Sequence, residues 1–440
     1  MGFVPCDKTR FLCSMPLVAF SSLGCSKNQV DGSKILDAVV RAGYSLTQDP
    51  AQAELVIVNT CAFIEAAQVE AIDAILEMAA LKKNGKCAKL IVTGCFSQRF
   101  RESAARKIPE VDVWAGTEDW PELLARFLHT DPLPSYTRVL AEPIASQYLK
   151  IAEGCSHGCA FCAIPLIRGA FVSRPLADIV TEAQWLAAQG VRECILVAQD
   201  SSFYGRDIGT TLSHLLEALL QNTPFPWIRV MYLHPAYIDD GLLNLFARQR
   251  RLCPYFDIPL QHASDIVLKA MGRRPLSKEI IHLINRIREM VPDAAIRTSF
   301  ITGFPGETEK HFEELLHFVE TMKFDKVGVF QFSPEQGTPA FSLHPRPRSA
   351  TALRRSEALM SLQREISAGV NASRVGGSIE VLIEAEADIP GYTVMGRSRW
   401  DAPEVDGNVY LKGERIASGV ILRATVTGAG DYDLFAEAVK

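Results

Sequence analysis

The sequence lacks a long apolar run, an excess of positive charge and an even number of cysteines. No segment approaches the ~18 to 20 consecutive apolar residues that cross a bilayer, so we expect no membrane association. Lys and Arg (46) are outnumbered by Asp and Glu (51), and a net charge of -5 leaves only a local basic groove as a route to nucleic acid. Eleven cysteines scattered over 440 residues fit a reduced, cytoplasmic compartment better than a disulfide framework.

We do not expect the first twenty residues to act as a secretory leader. The apolar stretch there is short, is broken by Pro16 and has no clear small-residue cleavage site. Cys6 and Cys13 lie in a stretch without periodicity, so we expect an optional N-terminal extension ahead of Met15. Length alone predicts two to three domains in the remainder.

Three cysteines are crowded into eight residues within YLKIAEGCSHGCAFCAIPLIR (148–168). Cys155, Cys159 and Cys162 form a C-x3-C-x2-C triplet. Thiolates usually hold iron–sulfur clusters one per iron, so three of them on a four-iron cluster leave one iron open to a small molecule. The alternative is a zinc site with His157 as the fourth ligand. His157 lies inside the triplet, whereas zinc ligands usually come as separated pairs.

Residues 17 to about 140 alternate between short apolar runs and helical stretches. The runs are bounded by polar residues or glycine, as buried parallel strands are, and apolar residues recur at intervals of three and four between them. This pattern predicts a βαβαβ arrangement in a doubly wound parallel sheet. The predicted strands are 17–20, 55–58 and 90–92, and the predicted helices are 33–42 and 63–81.

A cysteine follows each of these three strands. Cys25 lies in LGCSKNQVD, Cys61 in VNTCAFI and Cys95 in TGCFSQR, and each precedes a predicted helix start, where backbone N–H groups favour a thiolate. One cysteine alone is more often a small buried filler. Because parallel strands end at one edge of a sheet, three at equivalent points predict a shared metal site, again with one iron open.

From residue 148 to about 340 the chain alternates strand and helix six times. The predicted strands are YLKIA, CILVAQD, WIRVMYL, YFDIPL, AIRTSFITG and KVGVFQF, with helices such as 176–189 and 278–290 between them. Six such units predict a parallel barrel or partial barrel, and the triplet follows its first strand, on the catalytic face.

Polar residues at the other strand ends are candidate site residues by position. For any one of them the alternative is a helix cap or turn, notably for Asp200 and Thr308. The glycines of TGFPGET (302–308) allow close backbone approach to a ligand, but the stretch lacks the Lys and Ser/Thr of a phosphate-binding loop. The other candidates are Gln199, Ser201, His234, Gln261 and His262, whereas Cys87, Cys194 and Cys253 are predicted to be packing residues.

The C-terminal segment changes to short β runs after a basic, helical linker at 345–371. SIEVLIEA, GYTVMGR, NVYL and ASGVILRATVTG predict a compact antiparallel β-barrel. From 378 to 440 there are eleven Asp and Glu against six Lys and Arg, a net charge of -5. Such a module should attract a basic protein and repel RNA, unless the charge is simply a solvated surface.

These motifs together resemble the methylthiotransferase family of radical S-adenosylmethionine enzymes. The triplet resembles the radical enzymes' signature, the motifs of Cys25, Cys61 and Cys95 match the family's N-terminal ones, and the last segment resembles a TRAM domain. The resemblance implies an α/β chain with an N-terminal doubly wound domain at 17–140, a partial (βα)6 barrel with linker helix at 141–374 and a TRAM-like β-barrel at 375–440.

The resemblance also implies the cofactors and their ligands. Two [4Fe-4S] clusters would be held, one by Cys25, Cys61 and Cys95 and the other by the catalytic Cys155, Cys159 and Cys162. S-adenosylmethionine would be chelated at the open iron of the second cluster. Phe161 and Gly303 would bind it, and Gln199 is added as a cofactor-binding candidate by its position at the end of the second strand.

The substrate follows from the branch that the sequence resembles. RSRWDAPEVDGNVYL, YLKIAEGC and VSRP resemble the branch that modifies a ribosomal protein. The implied reaction adds a methylthio group to the β-carbon of an aspartate in the twelfth small-subunit protein, free or in the ribosome, with an electron donor as a further partner. Nucleic acid is not expected as the primary substrate. The alternatives are a transfer-RNA adenosine methylthiotransferase and a non-catalytic iron–sulfur electron carrier.

Overall fold

The computed structural model describes residues 15–128, 136–140, 142 and 144–439. The extension expected ahead of Met15 lies outside the described residues. The described residues form two compact units, one within residues 1–62 and 66–133 and the other within residues 63–65 and 134–440. In the part of the chain that the structure describes, no helix combines the length and apolar character needed to cross a membrane.

The first unit is a five-stranded sheet in which all strands run parallel. Its strand order is β2-β1-β3-β4-β5, so the chain reverses its direction of progress between β1 and β3. Helix α1 begins seven residues before the predicted 33–42 helix, and Cys25 occupies its N-cap position. The strands are β1 (Leu17–Ser22), β2 (Ser45–Leu46), β3 (Leu55–Thr60), β4 (Lys89–Gly94) and β5 (Val113–Trp114), and the helices are α1 (Ser26–Arg41), α2 (Glu65–Asn84), α3 (Cys95–Lys107) and α4 (Trp120–Leu128).

The second unit contains the six parallel strands that were predicted to form a partial barrel, and we call them the arc. These are β6 (Ser146–Lys150), β9 (Glu193–Val197), β10 (Trp227–Val230), β11 (Tyr255–Asp257), β12 (Ala295–Thr302) and β13 (Lys326–Gln331), with a short antiparallel pair, β7 (Ala152–Glu153) and β8 (Val172–Ser173), after the first strand. The two three-stranded sheets β10-β9-β6 and β11-β12-β13 are joined where the Leu233 amide donates to the Asp257 carbonyl at 2.7 Å.

Helices cover the outside of this arc. Their apolar residues, among them Ile179, Leu215 and Ile284, are buried against the strands. The helices are α5 (Ile164–Arg168), α6 (Leu176–Ala188), α7 (Leu212–Asn222), α8 (Asp240–Arg248), α9 (Asp265–Ala270), α10 (Ser277–Met290), α11 (Glu309–Met322) and α12 (Ser349–Ala372).

The C-terminal segment is a closed five-stranded barrel with the order β14-β15-β16-β18-β17. Its pairings are antiparallel as predicted, except that β16 and β18 run parallel because the chain crosses over to form β17 between them. The strands are β14 (Ser378–Glu386), β15 (Val394–Ser398), β16 (Val409–Lys412), β17 (Ile421–Ala429) and β18 (Leu434–Ala438).

This small barrel closes the amino-terminal end of the six-stranded arc. Buried Arg397 donates to Glu193 Oε2 at 2.6 Å and to Ser146 Oγ at 2.9 Å. Lys326 Nζ donates to Asp401 Oδ1 at 2.7 Å and Tyr255 Oη donates to Asp406 Oδ2 at 2.6 Å, while Leu382 and Ala402 share a buried cluster with strand residues. The first residue of every strand of the arc contacts the small barrel, either through one of these hydrogen bonds or within the buried cluster. These residues are Ser146, Glu193, Trp227, Tyr255, Ala295 and Lys326.

Candidate functional site

Three cysteines meet the carboxyl ends of neighbouring strands in the first unit. Cys25 is the N-cap of α1 after β1, Cys61 directly follows β3, and Cys95 is the first residue of α3 after β4. Strands β1, β3 and β4 are adjacent in the sheet. The reversal of strand order between β1 and β3 opens a crevice of the kind in which α/β sheets bind ligands.

Two glycines bring the cysteine loops close together. Gly24 has φ +98°, and a Cβ placed on it would lie 2.9 Å from the Cβ of Cys61. Gly94 has φ +91°, and its Cβ would lie 2.5 Å from the carbonyl oxygen of Thr60. Each glycine immediately precedes a cysteine, so the loops of Cys25 and Cys95 both approach the chain next to Cys61. The three predicted ligands therefore lie in touching loops.

Buried amides fix these loops. Asn28 Nδ2 donates to the carbonyls of Leu23 at 2.6 Å and Thr60 at 3.2 Å, and Asn59 Nδ2 donates to the carbonyl of Asn28 at 2.8 Å. Asn28 and Asn59 are each about 1 % exposed. Sequence reasoning did not single them out, although an asparagine inside a buried strand, as in VNTC, is a signal because a buried amide requires partners.

The triplet lies in a loop at the carboxyl end of the arc. The Cys155 amide donates to the Gly169 carbonyl at 3.1 Å. The Ala160 amide donates to the Met271 carbonyl at 2.8 Å, and the Ala160 carbonyl accepts from the Ala340 amide at 2.8 Å. The loop is therefore gripped from both sides by backbone hydrogen bonds.

The electrostatics of the triplet suit a metal cluster. Burial raises the pKa of Cys155, and it raises the pKa of Cys162 to about 12. Arg273 is the cation that lies against the loop, with Nη1 3.6 Å from Cys159 Sγ and Nη2 2.6 Å from the Pro259 carbonyl. Three half-buried thiols exceed what one guanidinium can neutralise, whereas a bound iron–sulfur cluster would stabilise all of them as thiolates.

His157 is turned toward histidine and carboxylate neighbours. Its Nε2 lies 2.6 Å from Asp200 Oδ2, and its ring stacks on His234 with centroids 4.2 Å apart and planes 18° apart. In the described residues these three side chains form a group whose ligand atoms lie within 4.8 Å of one another. Near-parallel rings do not aim their nitrogens at one point, and Asp200 is already hydrogen-bonded. His157 Nε2 thus already has Asp200 as a partner, and a zinc site completed by His157 beside the triplet stays an untested alternative.

Comparisons with known proteins extend these observations. Residues 17–116 match the Uncharacterized protein family UPF0004, residues 149–319 the Radical SAM superfamily and residues 375–439 the TRAM domain. The ribosomal protein uS12 methylthiotransferase RimO of Geobacter sulfurreducens is 41 % identical over 440 residues, covering 96 % of this chain and 98 % of that protein. RimO of Aquifex aeolicus is 45 % identical over 417 residues, covering 94 % and 95 %. The chain belongs to the RimO family.

Solved structures agree on the fold of this RimO-family chain. The radical S-adenosylmethionine methyltransferase TsrM from Kitasatospora setae, with cobalamin and a [4Fe-4S] cluster bound, aligns with a TM-score of 0.52 at 15 % identity, covering 74 % of this chain and 77 % of that one. At that identity the likeness concerns the fold alone. It agrees with the predicted α/β architecture and its parallel arc.

Asp200 is the hub of the hydrogen bonds around the RimO-family triplet. Its Oδ1 accepts from the Ser202 amide at 2.9 Å and the Phe203 amide at 3.2 Å, capping the 3-10 turn Ser201–Phe203. Burial opposes its ionisation, yet hydrogen bonds from His157 and Ser202 hold the pKa of Asp200 below its usual range. Asp200 thus fulfils the predicted capping role and also reaches the triplet loop.

His234 carries a proton at a defined nitrogen. Its Nδ1 accepts from the Ala236 amide at 3.3 Å, which leaves the proton of the neutral ring on Nε2. Burial and the positive charge of Arg273 lower the pKa of His234 to about 3, so the ring is neutral.

The residues predicted to bind S-adenosylmethionine also have structural partners. Gln199 Nε2 donates to Glu153 Oε1 at 3.0 Å, and half-buried Phe161 packs against a buried cluster that includes Met271. A Cβ on Gly303 would lie 2.5 Å from the Cβ of Ala352, so close packing of α12 alone requires glycine there. The cofactor roles of Phe161, Gln199 and Gly303 stay predictions.

The remaining candidates divide between capping and packing. Thr308 caps α11 through the His311 amide at 3.4 Å, as its alternative interpretation predicted, and Thr302 Oγ1 donates to the Ala352 carbonyl at 3.0 Å. His262 is fully buried, and its Nδ1 accepts from the Ser264 amide at 3.0 Å. Ser201 is buried in its turn, and Gln261 adopts φ 75° four residues after the end of β11. The predicted packing residues Cys87, Cys194 and Cys253 are all buried.

Proposed function

We propose that this chain is a radical S-adenosylmethionine methylthiotransferase, which adds a methylthio group to the β-carbon of an aspartate in ribosomal protein uS12. The observation that carries the proposal is the presence of two cysteine trios, each at the carboxyl edge of a parallel sheet. A trio leaves one position of a four-iron cluster without a protein ligand. The names of the RimO relatives supply the substrate.

Each trio would hold one cluster. Cys25, Cys61 and Cys95 would be the ligands of the first, and Cys155, Cys159 and Cys162 those of the second. When bound, the second cluster with S-adenosylmethionine would supply radical chemistry for a C–H bond that acid–base catalysis cannot break, and the first would supply the sulfur. Two clusters per chain is thus part of the proposal.

The chain's own residues orient the second site. Arg273 places a positive charge beside Cys159, and Glu153 anchors the start of the loop through ion pairs with Lys150 at 2.6 Å and Arg168 at 2.8 Å. Gly154, with φ +71°, passes so close to the Ala170 carbonyl that no side chain fits. These contacts fix the backbone on either side of Cys155 before any cofactor binds.

The surface of the β-barrel domain favours a protein substrate. In residues 378–439, acidic groups that are buried or half-buried have basic partners, as buried Asp401 has Lys326 and half-buried Glu384 has Arg397. The exposed groups keep the acidic excess. Seven exposed acidic residues (Glu380, Glu386, Asp388, Glu404, Glu414, Asp431, Glu437) stand against three exposed basic ones (Lys412, Arg415, Arg423). Such a surface attracts a basic ribosomal protein and repels RNA phosphates.

The test compares two substrates in one assay. Protein reconstituted with iron and sulfide is reduced with dithionite and given S-adenosylmethionine with either uS12 or a transfer-RNA anticodon stem-loop. We expect one methylthio group on the uS12 aspartate by mass spectrometry, and none on RNA. RNA as the sole substrate would overturn the proposal in favour of the transfer-RNA alternative.

Two further measurements address the electron-carrier alternative. Release of 5′-deoxyadenosine is expected from the wild type and not from Cys159→Ala, whose fold should be retained. Iron and sulfide equivalent to a single cluster per wild-type chain would contradict the two-cluster proposal. Modification of uS12 in the cytoplasm, free or within the ribosome, is the setting that we propose, with an electron donor as the second partner.

A further inference from the structure

A large aromatic ring is exposed on the inner face of the last strand of the arc. Within the described ranges, β13 pairs with β12 alone, so it is an edge strand. Val327 and Val329 of β13 pack against the buried cluster beneath the outer helices. Because successive side chains of a strand point to opposite faces, Gly328 and Phe330 face the inside of the arc. Phe330 is nevertheless 54 % exposed there.

This exposed ring lies next to the packing that holds the triplet loop. Phe330 is the strand partner of Ile301 on β12. Ile301 belongs to a buried cluster that also contains Ala160 of the triplet loop and Met271. Phe332, two residues further along the same face of the chain, packs against that cluster as well. The inner face of β13 therefore leads from the lumen of the arc directly to the triplet.

Gly328 leaves a hollow between this ring and a guanidinium group. A Cβ on Gly328 would lie 3.6 Å from Phe330 Cε2 and 3.7 Å from Arg297 Nη2, which is ordinary van der Waals contact. Gly328 is not among the glycines with positive φ, so its backbone does not require glycine. We call the space bounded by Arg297, Gly328 and Phe330 the inner hollow.

Arg297 is fixed at one end and presents donors at the other. Its Nη1 donates to Asp257 Oδ1 at 3.0 Å, and its Nε lies 3.6 Å from Asp406 Oδ1. Asp257 is itself held by the Tyr232 amide, which donates to its Oδ2 at 3.0 Å. Nη2 has no hydrogen-bond partner among the residues that the structure describes, and 15 % of the side chain is exposed. A guanidinium oriented in this way is suited to bind a carboxylate.

We propose that the inner hollow binds the side chain of the target aspartate of uS12, with Arg297 Nη2 donating to its carboxylate and Phe330 packing against the adjoining substrate chain. The inference rests on the proposed function, in which the modified carbon is bonded directly to that carboxylate. Holding the carboxylate therefore also fixes the position of this carbon near the triplet loop. An adenine base carries no anionic group, so the same contact favours the protein substrate over transfer RNA.

The first experiment measures binding and needs no turnover. Reconstituted full-length wild type and Arg297→Met are each titrated with fluorescently labelled uS12 and with uS12 in which asparagine replaces the target aspartate. We expect this replacement to weaken binding to the wild type roughly tenfold, as the loss of a charge-assisted hydrogen bond does, and to leave binding to Arg297→Met nearly unchanged. Equal losses with both proteins would overturn the role of Arg297.

Because Arg297→Met also removes the partner of buried Asp257, a second variant keeps that ion pair. Gly328→Val fills the inner hollow with a side chain that suits a strand. We expect it to retain the iron content of the wild type and to raise the KM for uS12 roughly tenfold or more, since it blocks substrate binding. The control is Gly369→Ala on α12, where a Cβ meets nothing within 4 Å, and it should match the wild type.

Two outcomes separate this inference from the proposed function. An unchanged KM for uS12 in Gly328→Val, or an equal rise in Gly369→Ala, would overturn the assignment of the inner hollow while leaving the proposed function intact. A wild type that neither binds uS12 nor modifies it would instead overturn the proposed function.

Discussion

His157 Nε2 and Asp200 Oδ2 lie 2.6 Å apart, which ties the triplet loop to the end of strand β9. The same carboxylate caps the turn that begins at Ser201, so one buried group orders two segments of the catalytic face. His234 then stacks on the other side of His157. A loop that must hold three thiols in place thus has a support that does not depend on the thiols themselves.

Asp200→Asn should loosen this support while conserving side-chain volume. An amide lacks the charge that pairs with His157, so we expect about 10- to 100-fold weaker retention of the second cluster, the usual effect of losing an outer partner of a metal site. Iron content after incubation with a chelator measures this. His157→Gln, which can still donate to Asp200, should lose less. Equal retention in Asp200→Asn and wild type would contradict the supporting role.

Gly94→Ala should remove selectively the first cluster that we propose at Cys25, Cys61 and Cys95. Gly94 has φ 91° and ψ -160°, a region that is nearly exclusive to glycine, and its new Cβ would meet backbone at 2.5 Å. Gly43→Ala is the control, since Gly43 has φ +90° with nothing within 4 Å, and should cost only ~1 kcal/mol of stability. We expect Gly94→Ala to lose about half of its iron and keep release of 5′-deoxyadenosine. Full iron content in Gly94→Ala would contradict the idea that the first cluster needs the Cys95 loop to lie close to the chain next to Cys61.

Arg397→Met should destabilise the second unit strongly. It would leave Glu193, which is fully buried, with Arg229 as its remaining cationic partner, and breaking a buried ion pair costs roughly 3–5 kcal/mol. Arg415→Met removes an ion pair with Glu386 in which both side chains are largely exposed, so it should change the free energy of unfolding by less than ~1 kcal/mol. Urea denaturation measures both. Similar midpoints for the two variants would contradict the structural importance of the buried pair.

Low pH should weaken the same contact between the β-barrel domain and the arc. Burial opposes the charge on Glu193, but Arg397 and Arg229 lower its pKa to about 2 from the usual 4.5. A depressed pKa contributes stability that is present above pH 4.5 and is lost as the pH falls toward 2. Unfolding free energies measured between pH 7 and 3 should therefore fall less steeply in Glu193→Gln than in wild type. Parallel pH profiles would exclude Glu193 as a contributor.

The elements that sequence predicted are those with local signals. Strand runs, cysteines after strands and the β runs beyond Gly376 each occupy a few consecutive residues, and all are found close to their predicted places. The contacts that sequence could not predict join distant residues. Arg397 and Glu193 are 204 positions apart, and His157 and Asp200 are 43 apart. Neither pair produces a periodicity, so only the folded chain reveals them.

Gly303 illustrates a different limit. The sequence predicts that Gly303 lies close to a cofactor, whereas its close approach to Ala352 explains the glycine at this position equally well. A glycine in sequence indicates that something comes near the backbone, and it does not say whether that is a ligand or a helix.

The β-barrel domain, finally, covers the amino-terminal end of the six-stranded arc. Its absence would expose the starting residues of six strands to water, with Glu193 and Arg229 losing the partners that bury them. Selection for a new substrate can therefore alter the outward side chains of this domain freely, while the domain itself cannot be discarded or exchanged for an unrelated binding module. We therefore expect substrate specificity in this family to change through substitutions of exposed side chains on a β-barrel domain that is itself retained.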